Sequence, residues 1–198
     1  MGRIYYIFGK SASGKDSFYH RLMSDADLSL KKIIMYTTRP IRSGEKDGEE
    51  YFFIDEERLE QLKSKGRVIE SRTYLTMHGP WIYATVNDGQ IDLESGVDYA
   101  ALGDFNSYIS MRDYFGSDVI VPVYVEVEDG ERLARALFRE RSQKEPKYAE
   151  LCRRFLSDRE QFAEERLAAE GISRRYVNDD FERCYEEIKA DILKGARG

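Results

Sequence analysis

Apolar residues lie in short runs separated by glycine and charged segments, which is typical of alternating strands and helices. The first run, Ile4–Phe8, is closed by Gly9 and predicts a buried strand. Apolar side chains then recur at helical spacing over residues 14–23. The chain therefore opens with a strand, a glycine-rich turn and a helix.

The same patterns predict elements along the rest of the chain. Strands are expected at 51–54, 97–102 and 119–127, with β-forming residues also over 67–86, and helices at 55–65, 131–141, 148–169 and 180–193. Strands that alternate with helices predict an α/β fold, a parallel sheet flanked by helices with functional loops at the carboxyl ends of its strands. A length of 198 residues with 41% hydrophobic composition fits one domain.

Composition narrows the possible partners and compartment. The net charge is −6, from 31 basic and 37 acidic residues, so we expect no nucleic-acid polymer and no membrane surface as partner. The two cysteines, Cys152 and Cys184, stand far apart in segments predicted to be helical, which favours a reducing, cytoplasmic setting. We expect no signal peptide or membrane span. The oligomeric state stays open.

A phosphate-binding motif follows the first predicted strand. Gly9, Lys10, Ser11, Ala12, Ser13, Gly14 and Lys15 match G-x-x-x-x-G-K at the start of a helix. Small residues let backbone amides approach phosphates, and Lys15 reaches the group that is transferred. We predict that this segment binds ATP and that Lys15 is catalytic. The alternative is a glycine-rich turn that binds nothing.

The position after the motif predicts an unusual metal ligand. Asp16 stands where serine or threonine usually offers a hydroxyl to Mg²⁺, and Ser17 follows it. We expect Asp16, or Ser17, to bind the metal. Alternatively, Asp16 only stabilises the first helical turn through the helix dipole.

A second anion site is predicted on the irregular segment 37–51. It carries Arg39 and Arg42, whose guanidinium groups suit phosphate oxygens, and Tyr51, whose hydroxyl adds a directional hydrogen bond. The alternative is a pair of exposed arginines without a ligand.

These two segments, at their spacing, resemble the guanylate kinase family, and the resemblance extends through most of the chain. Residues 66–70 and the Tyr83-Ala84-Thr85 turn are similar to further segments of that family. The resemblance implies a P-loop NTPase-type fold in a single domain. Its core would comprise 1–34, 97–130 and 170–198, with an acceptor-binding insert at 35–96 and a lid at 131–169.

The resemblance also implies roles for individual residues. Those expected at the acceptor phosphate or its sugar end are Arg39, Arg42, Tyr51, Tyr83 and Thr85. Glu70 and Asp104 are expected to face guanine, whose N1 hydrogen and 2-amino group suit carboxylate acceptors. Two positions depart from the family pattern. Met35 replaces a small hydroxyl residue, and Leu102 replaces the first acid of an Asp-x-Asp pair.

Arginines of the predicted lid are the remaining candidates. Arg139, Arg141 and Arg154 are similar to arginines that close over the transferred phosphoryl group in the family. Ordinary solvent-facing helix charge is the alternative. Asn178, in a turn similar to the family's Val-Asn-Asp, is expected near the adenine of ATP, although locally it also fits a helix cap.

The implied function is ATP-dependent phosphorylation of a nucleoside monophosphate, GMP to GDP, with Mg²⁺. One alternative is a kinase similar to ribose 1,5-bisphosphate phosphokinases, which the Gly-Lys-Asp-Ser segment also resembles. A second alternative is a guanylate-kinase-like module that binds a partner without catalysis. We expect no catalytic role for His78.

Overall fold

A computed structural model describes residues 1–76 and 79–195, so His78 lies outside the described residues. The strands are β1 (Ile4–Phe8), β2 (Lys31–Lys32), β3 (Tyr36–Thr37), β4 (Phe52–Phe53), β5 (Val68–Thr76), β6 (Gly79–Val86), β7 (Tyr99–Gly103), β8 (Ile120–Glu126) and β9 (Tyr176–Val177). The helices are α1 (Lys15–Ser24), α2 (Glu56–Ser64), α3 (Phe105–Phe115), α4 (Asp129–Arg141), α5 (Tyr148–Gln161), α6 (Glu164–Ala169) and α7 (Phe181–Gly195).

The central sheet has five parallel strands in the order β2-β7-β1-β8-β9, which confirms the predicted parallel sheet. Every residue of β1 is buried. Because successive side chains of a strand point to opposite faces, Tyr6 and Phe8 pack into one core cluster and Tyr5 and Ile7 into the other. Helices cover both faces of the sheet. Strand β1 is therefore held by a neighbouring strand on each side and by helices on each face, up to the point where the next loop begins.

Phe8, the last residue of β1, is the centre of an aromatic cluster. Its ring stacks on Tyr108 at a centroid distance of 4.8 Å and on Tyr124 at 5.4 Å. Phe162 is buried and stacks on Tyr124 at 5.6 Å, and the helix expected over 148–169 is broken at this residue. The chain forms α5 and α6 instead, because the backbone is extended at Ala163, with φ of −61° and ψ of 142°.

A second sheet of four strands, in the order β4-β3-β6-β5, contains three of the predicted acceptor-side residues, Glu70, Tyr83 and Thr85. Its long strands β5 and β6 form an antiparallel pair with a bulge between Val68 and Glu70. Helix α2 covers this sheet, and Leu59 packs with Ala84 and Val86 in a separate small core. This small core joins α2 to the second sheet, while Ile69 of β5 packs against the core cluster that contains Tyr6 and Phe8.

Aspartate side chains cap α2, α3 and α7, and at α7 the Asp180 carboxylate accepts a hydrogen bond from the Arg183 amide at 2.8 Å. The Asp55 carboxylate accepts a hydrogen bond from the Arg58 amide at 2.7 Å, which agrees with the predicted acid-started helix. Asp104 caps α3 by accepting from the Ser107 amide at 2.9 Å. We did not predict α3. In the described part of the chain, every helix is too short or too polar to cross a membrane.

Candidate active site

A cavity of about 640 Å³ joins the carboxyl ends of the central strands, the second sheet and α5. Its wall on the central-sheet side includes Gly9, Ser11, Lys15, Asp16, Leu102, Gly103 and Asp104, and its wall on the second sheet includes Met35, Tyr51, Arg72, Tyr74, Trp81 and Tyr83. Helix α5 closes a third side with residues that include Arg154 and Asp158. The predicted phosphate-binding motif and part of the predicted acceptor site therefore face one space.

The loop at residues 9–15, here called the phosphate loop, requires glycine at two positions. A Cβ on Gly9 would lie 2.4 Å from the backbone oxygen of Val125, which cannot move aside within β8. Gly14 has φ of 88°, in the left-handed region that favours glycine, and immediately precedes α1. The loop can therefore turn sharply from β1 into the N-terminus of α1, where backbone amides and the helix dipole favour phosphate.

Asn178 supports the phosphate loop from behind. Its side-chain Nδ2 donates a 2.8 Å hydrogen bond to the backbone oxygen of Ser13, and its own amide donates to Glu126 at 2.8 Å. The residue is buried. This geometry gives Asn178 a positioning role for the loop, and the expected contact with adenine stays a prediction.

Lys15 and Asp16 lie together on the cavity wall, with Lys15 Nζ 3.0 Å from Asp16 Oδ2. The Asp16 side chain is 66% exposed, so its second oxygen is accessible to a ligand. Mg²⁺ usually takes one or two carboxylates together with substrate phosphates, and Asp16 fits that requirement. Ser17 is exposed and lies outside the described cavity wall. Lys10 instead pairs with Asp129 at 3.1 Å.

An ion-pair network around the buried side chain of Arg132 connects the helices after β8 to the phosphate loop. Asp158 Oδ2 accepts from the Ser11 amide at 2.8 Å and from Arg132 Nη1 at 2.9 Å. Arg132, which is fully buried, also pairs with Asp129 at 3.1 Å and lies 4.2 Å over the ring of Phe155. We did not predict these residues, because a charged residue on a helix rich in both signs carries no separate signal.

The three predicted lid arginines occupy different places. Arg154 lines the cavity and its Nε donates to Glu150 at 2.7 Å. Hydrogen bonds from Arg153 and then from Arg154 lower the pKa of Glu150 to about 2. Arg139 lines a separate cavity of about 100 Å³ between α4 and α5. Arg139 and Arg141 are exposed, and neither lies on the described wall of the larger cavity.

The two arginines of segment 37–51 differ in their exposure and in their contacts. Arg39 is buried and forms a two-point pair with the Glu45 carboxylate at 2.8 and 3.0 Å, while its Nε donates to the Tyr83 hydroxyl at 3.2 Å. Arg42 is exposed, 6.0 Å over the ring of Trp81. Tyr83 lines the cavity with Tyr51, whereas both arginines stand outside its described wall. The structure thus brings the tyrosines to the cavity and holds Arg39 behind them.

The two predicted base-facing acids differ in access to the cavity. Asp104 lines it, at the start of α3. Glu70 is buried and accepts from Thr85 Oγ1 at 2.8 Å and from Ser107 Oγ at 3.1 Å. Neither Glu70 nor Thr85 lies on the described wall. Arg72, which we did not predict, lines the cavity, and its Nε lies 3.3 Å from Glu70 Oε2.

Removing the Asn178 side chain should weaken the phosphate loop. Asn178→Ala leaves the buried Ser13 oxygen without its donor, and we expect the free energy of unfolding to fall by about 1–3 kcal/mol, with a raised KM for ATP. Urea denaturation and steady-state kinetics measure the two effects. Exposed Asn106 on α3 offers a matched control, Asn106→Ala, which should change neither quantity appreciably. An Asn178→Ala protein as stable as the parent would contradict the support role.

Comparison with known proteins gives consistent results. A family model described as "Guanylate kinase" matches residues 1–88. The guanylate kinase of Chromobacterium violaceum is 30% identical over 204 residues, covering 99% of this chain and 89% of that protein. The guanylate kinase of Legionella pneumophila (strain Lens) is 25% identical over 192 residues, covering 97% and 86%.

One solved structure adds evidence on the fold. The crystal structure of guanylate kinase from Anaplasma phagocytophilum aligns with a TM-score of 0.63, covering 100% of this chain and 87% of that chain. The sequence identity is 20%, so this likeness concerns the fold alone. It confirms the expected α/β architecture with a parallel sheet flanked by helices.

Proposed function

Because this chain belongs to the guanylate kinase family, we propose that it transfers the terminal phosphoryl group of ATP to GMP, producing ADP and GDP. The observation that carries this proposal is the single cavity that holds Lys15 and Asp16 on one wall and Tyr51 and Tyr83 on another. A phosphoryl transfer between two bound nucleotides needs such a shared space, because donor and acceptor oxygens must be brought into line.

The donor end is assigned to the phosphate loop. Its backbone amides and the N-terminus of α1 would hold the phosphates of ATP, and Lys15 would neutralise charge on the transferred group. Bound Mg²⁺ would neutralise phosphate charge further, with the carboxylate of Asp16 as its protein ligand and Ser17 as the alternative. Asn178 would keep the loop in shape.

The acceptor end is assigned to the insert at 35–96. Tyr51 and Tyr83 would hydrogen-bond the acceptor phosphate from the cavity wall, and Arg39 and Arg42 would supply positive charge from behind them, with Thr85 in the supporting layer. No side chain has to act as a base, because the attacking phosphate oxygen is already anionic.

The segment 131–169 is proposed as the lid. Arg154, already on the wall, would approach the transferred group most directly, and Arg139 and Arg141 would follow if the lid closes further. Closure would exclude water and strengthen these interactions.

A substrate panel with a Lys15 variant tests the function. We expect the protein to release ADP in the presence of GMP and to do so poorly with AMP or ribose 1,5-bisphosphate. Lys15→Ala should lower kcat with GMP by roughly 100-fold or more, since it removes charge stabilisation of the transition state. Coupled ADP detection measures both.

Lys63→Ala is the matched control, because Lys63 is a lysine of α2 that pairs with Glu60, outside the cavity wall. It should leave turnover unchanged. Activity on ribose 1,5-bisphosphate without activity on GMP would contradict the acceptor assignment. Failure to bind ATP would favour a non-catalytic binding module.

A substitution at Asp16 tests the metal assignment. Asp16→Asn should raise the free Mg²⁺ concentration needed for half-maximal activity by roughly tenfold or more, as expected for a damaged metal site. Asp16→Ser should restore much of the Mg²⁺ response, because a hydroxyl is the usual ligand at this position. An unchanged Mg²⁺ requirement in Asp16→Asn, with only thermal stability reduced, would show that Asp16 acts through the helix dipole alone.

A further inference from the structure

Glu70 lies outside the described wall of the large cavity, and neighbouring side chains bind its carboxylate. Its side chain is 5% exposed, and each of its two oxygens accepts one hydrogen bond, from the hydroxyl of Thr85 and from that of Ser107. Oε2 also lies 3.3 Å from Arg72 Nε. Among the described residues, the wall of the large cavity includes Arg72 and excludes Glu70. The polar group that this part of the second sheet presents to a ligand is therefore a donor.

Arg72 has donor capacity left for a ligand. Its side chain is 22% exposed, and Nη1 donates to Asp104 Oδ2 at 3.1 Å. Nη2 contacts Met35 Sδ at 3.8 Å, and a thioether sulphur is only a weak acceptor. Each of these two nitrogens carries two hydrogens, so the cavity side of the guanidinium can still donate to a better acceptor than sulphur.

The charges around Arg72 restrict which ligand group fits. One guanidinium between the carboxylates of Glu70 and Asp104 leaves this group of three with a net charge of −1. Burial would lower the pKa of Arg72, but the two carboxylates outweigh it and raise that pKa, so the donors are permanent. A second phosphate of the acceptor would be repelled by the net negative charge. A neutral edge with hydrogen-bond acceptors fits both the charge and the donors.

We infer that Arg72 is a specificity-determining residue that recognises the O6 and N7 edge of an oxopurine in the acceptor, with Glu70 and Asp104 positioning its guanidinium. This inference rests on the proposed function and specifies how its base is chosen. The planar fork of arginine matches the two acceptors O6 and N7 of guanine. Adenine presents an amino group beside N7, so a donor of Arg72 would meet a donor of the base.

The base contact is tested by comparing three acceptors. Inosine monophosphate keeps O6 and N7 but lacks the 2-amino group, whereas AMP lacks O6. In Arg72→Ala, kcat/KM for GMP and for inosine monophosphate should both fall by roughly 5- to 150-fold. The kcat/KM for AMP should change little, so the ratio of kcat/KM for GMP to kcat/KM for AMP should fall by the same factor.

Two further variants separate recognition from folding. Arg72→Lys keeps a positive charge between the carboxylates but lacks the planar fork of arginine. It should also lower the ratio of kcat/KM for GMP to kcat/KM for AMP, while circular dichroism and thermal melting show a folded protein. Arg67→Ala is the matched control, because Arg67 is exposed beside the start of β5 and donates to the Asn87 backbone. Arg67→Ala should have the same ratio of kcat/KM for GMP to kcat/KM for AMP as the parent protein.

Two other results with Arg72→Ala would overturn the inference. A rise in GMP activity in Arg72→Ala would show that Arg72 only masks Glu70, which would then read the base, and would overturn the inference. An equal loss for GMP, inosine monophosphate and AMP would also overturn it, because that is the signature of a structural role. Failure of the proposed function has a separate signature, since the parent protein itself would then neither bind nor phosphorylate GMP, and both proposals would fall.

Discussion

The site depends on a steric constraint at the end of one buried strand. β1 is fixed in the middle of the parallel sheet, and Gly9 leaves it so close to the Val125 oxygen that no side chain fits. The phosphate loop therefore starts from a point that cannot shift. The side-chain amide of Asn178 donates a hydrogen bond to the backbone oxygen of Ser13, and the Asp158 carboxylate on α5 accepts one from the backbone amide of Ser11. A preorganised loop loses little entropy when phosphates bind, which is why rigidity here supports function.

The cations around the cavity are paired with carboxylates of the same chain. Lys15 pairs with Asp16, Arg39 with Glu45, and Arg154 with Glu150. With a net charge of −6, the protein does not attract anions through an overall field. We expect nucleotide binding to exchange these internal partners for phosphate oxygens, so that the selectivity of the site lies in the placement of the donors rather than in total charge.

Much of the fold was predictable because it rests on local patterns. The five-residue apolar run of β1, the motif that follows it and the aspartate-capped α2 are each specified within a few residues. α3 carried a signal that we did not use, since Asp104 precedes Ser107 as a cap and Phe105, Tyr108 and Met111 recur at helical spacing. The break after Gln161 was not predictable from the helical pattern, because it coincides with the burial of Phe162 in an aromatic cluster whose other members come from three segments, β1, α3 and β8.

In the candidate site, too, some residues were predictable from the sequence and others were not. Lys15, Tyr51, Tyr83 and Asp104 were identified from motifs, and all four line the same cavity. Arg72 was missed, although it stands two residues after Glu70 on the same face of β5, and only the fold shows that Arg72 lines the cavity whereas Glu70 does not. The Arg132 and Asp158 pair joins residues 26 positions apart, on two helices whose packing the sequence pattern does not specify.

The central claim is that one cavity aligns a donor triphosphate with an acceptor nucleotide. A crystal structure of the protein with adenosine and guanosine joined by five phosphates tests it most directly. The account predicts that the phosphate chain runs through the phosphate loop beside Lys15, with the guanosine end between Tyr83 and Arg72. A guanosine end bound outside this cavity, or a phosphate chain that avoids the loop, would contradict it.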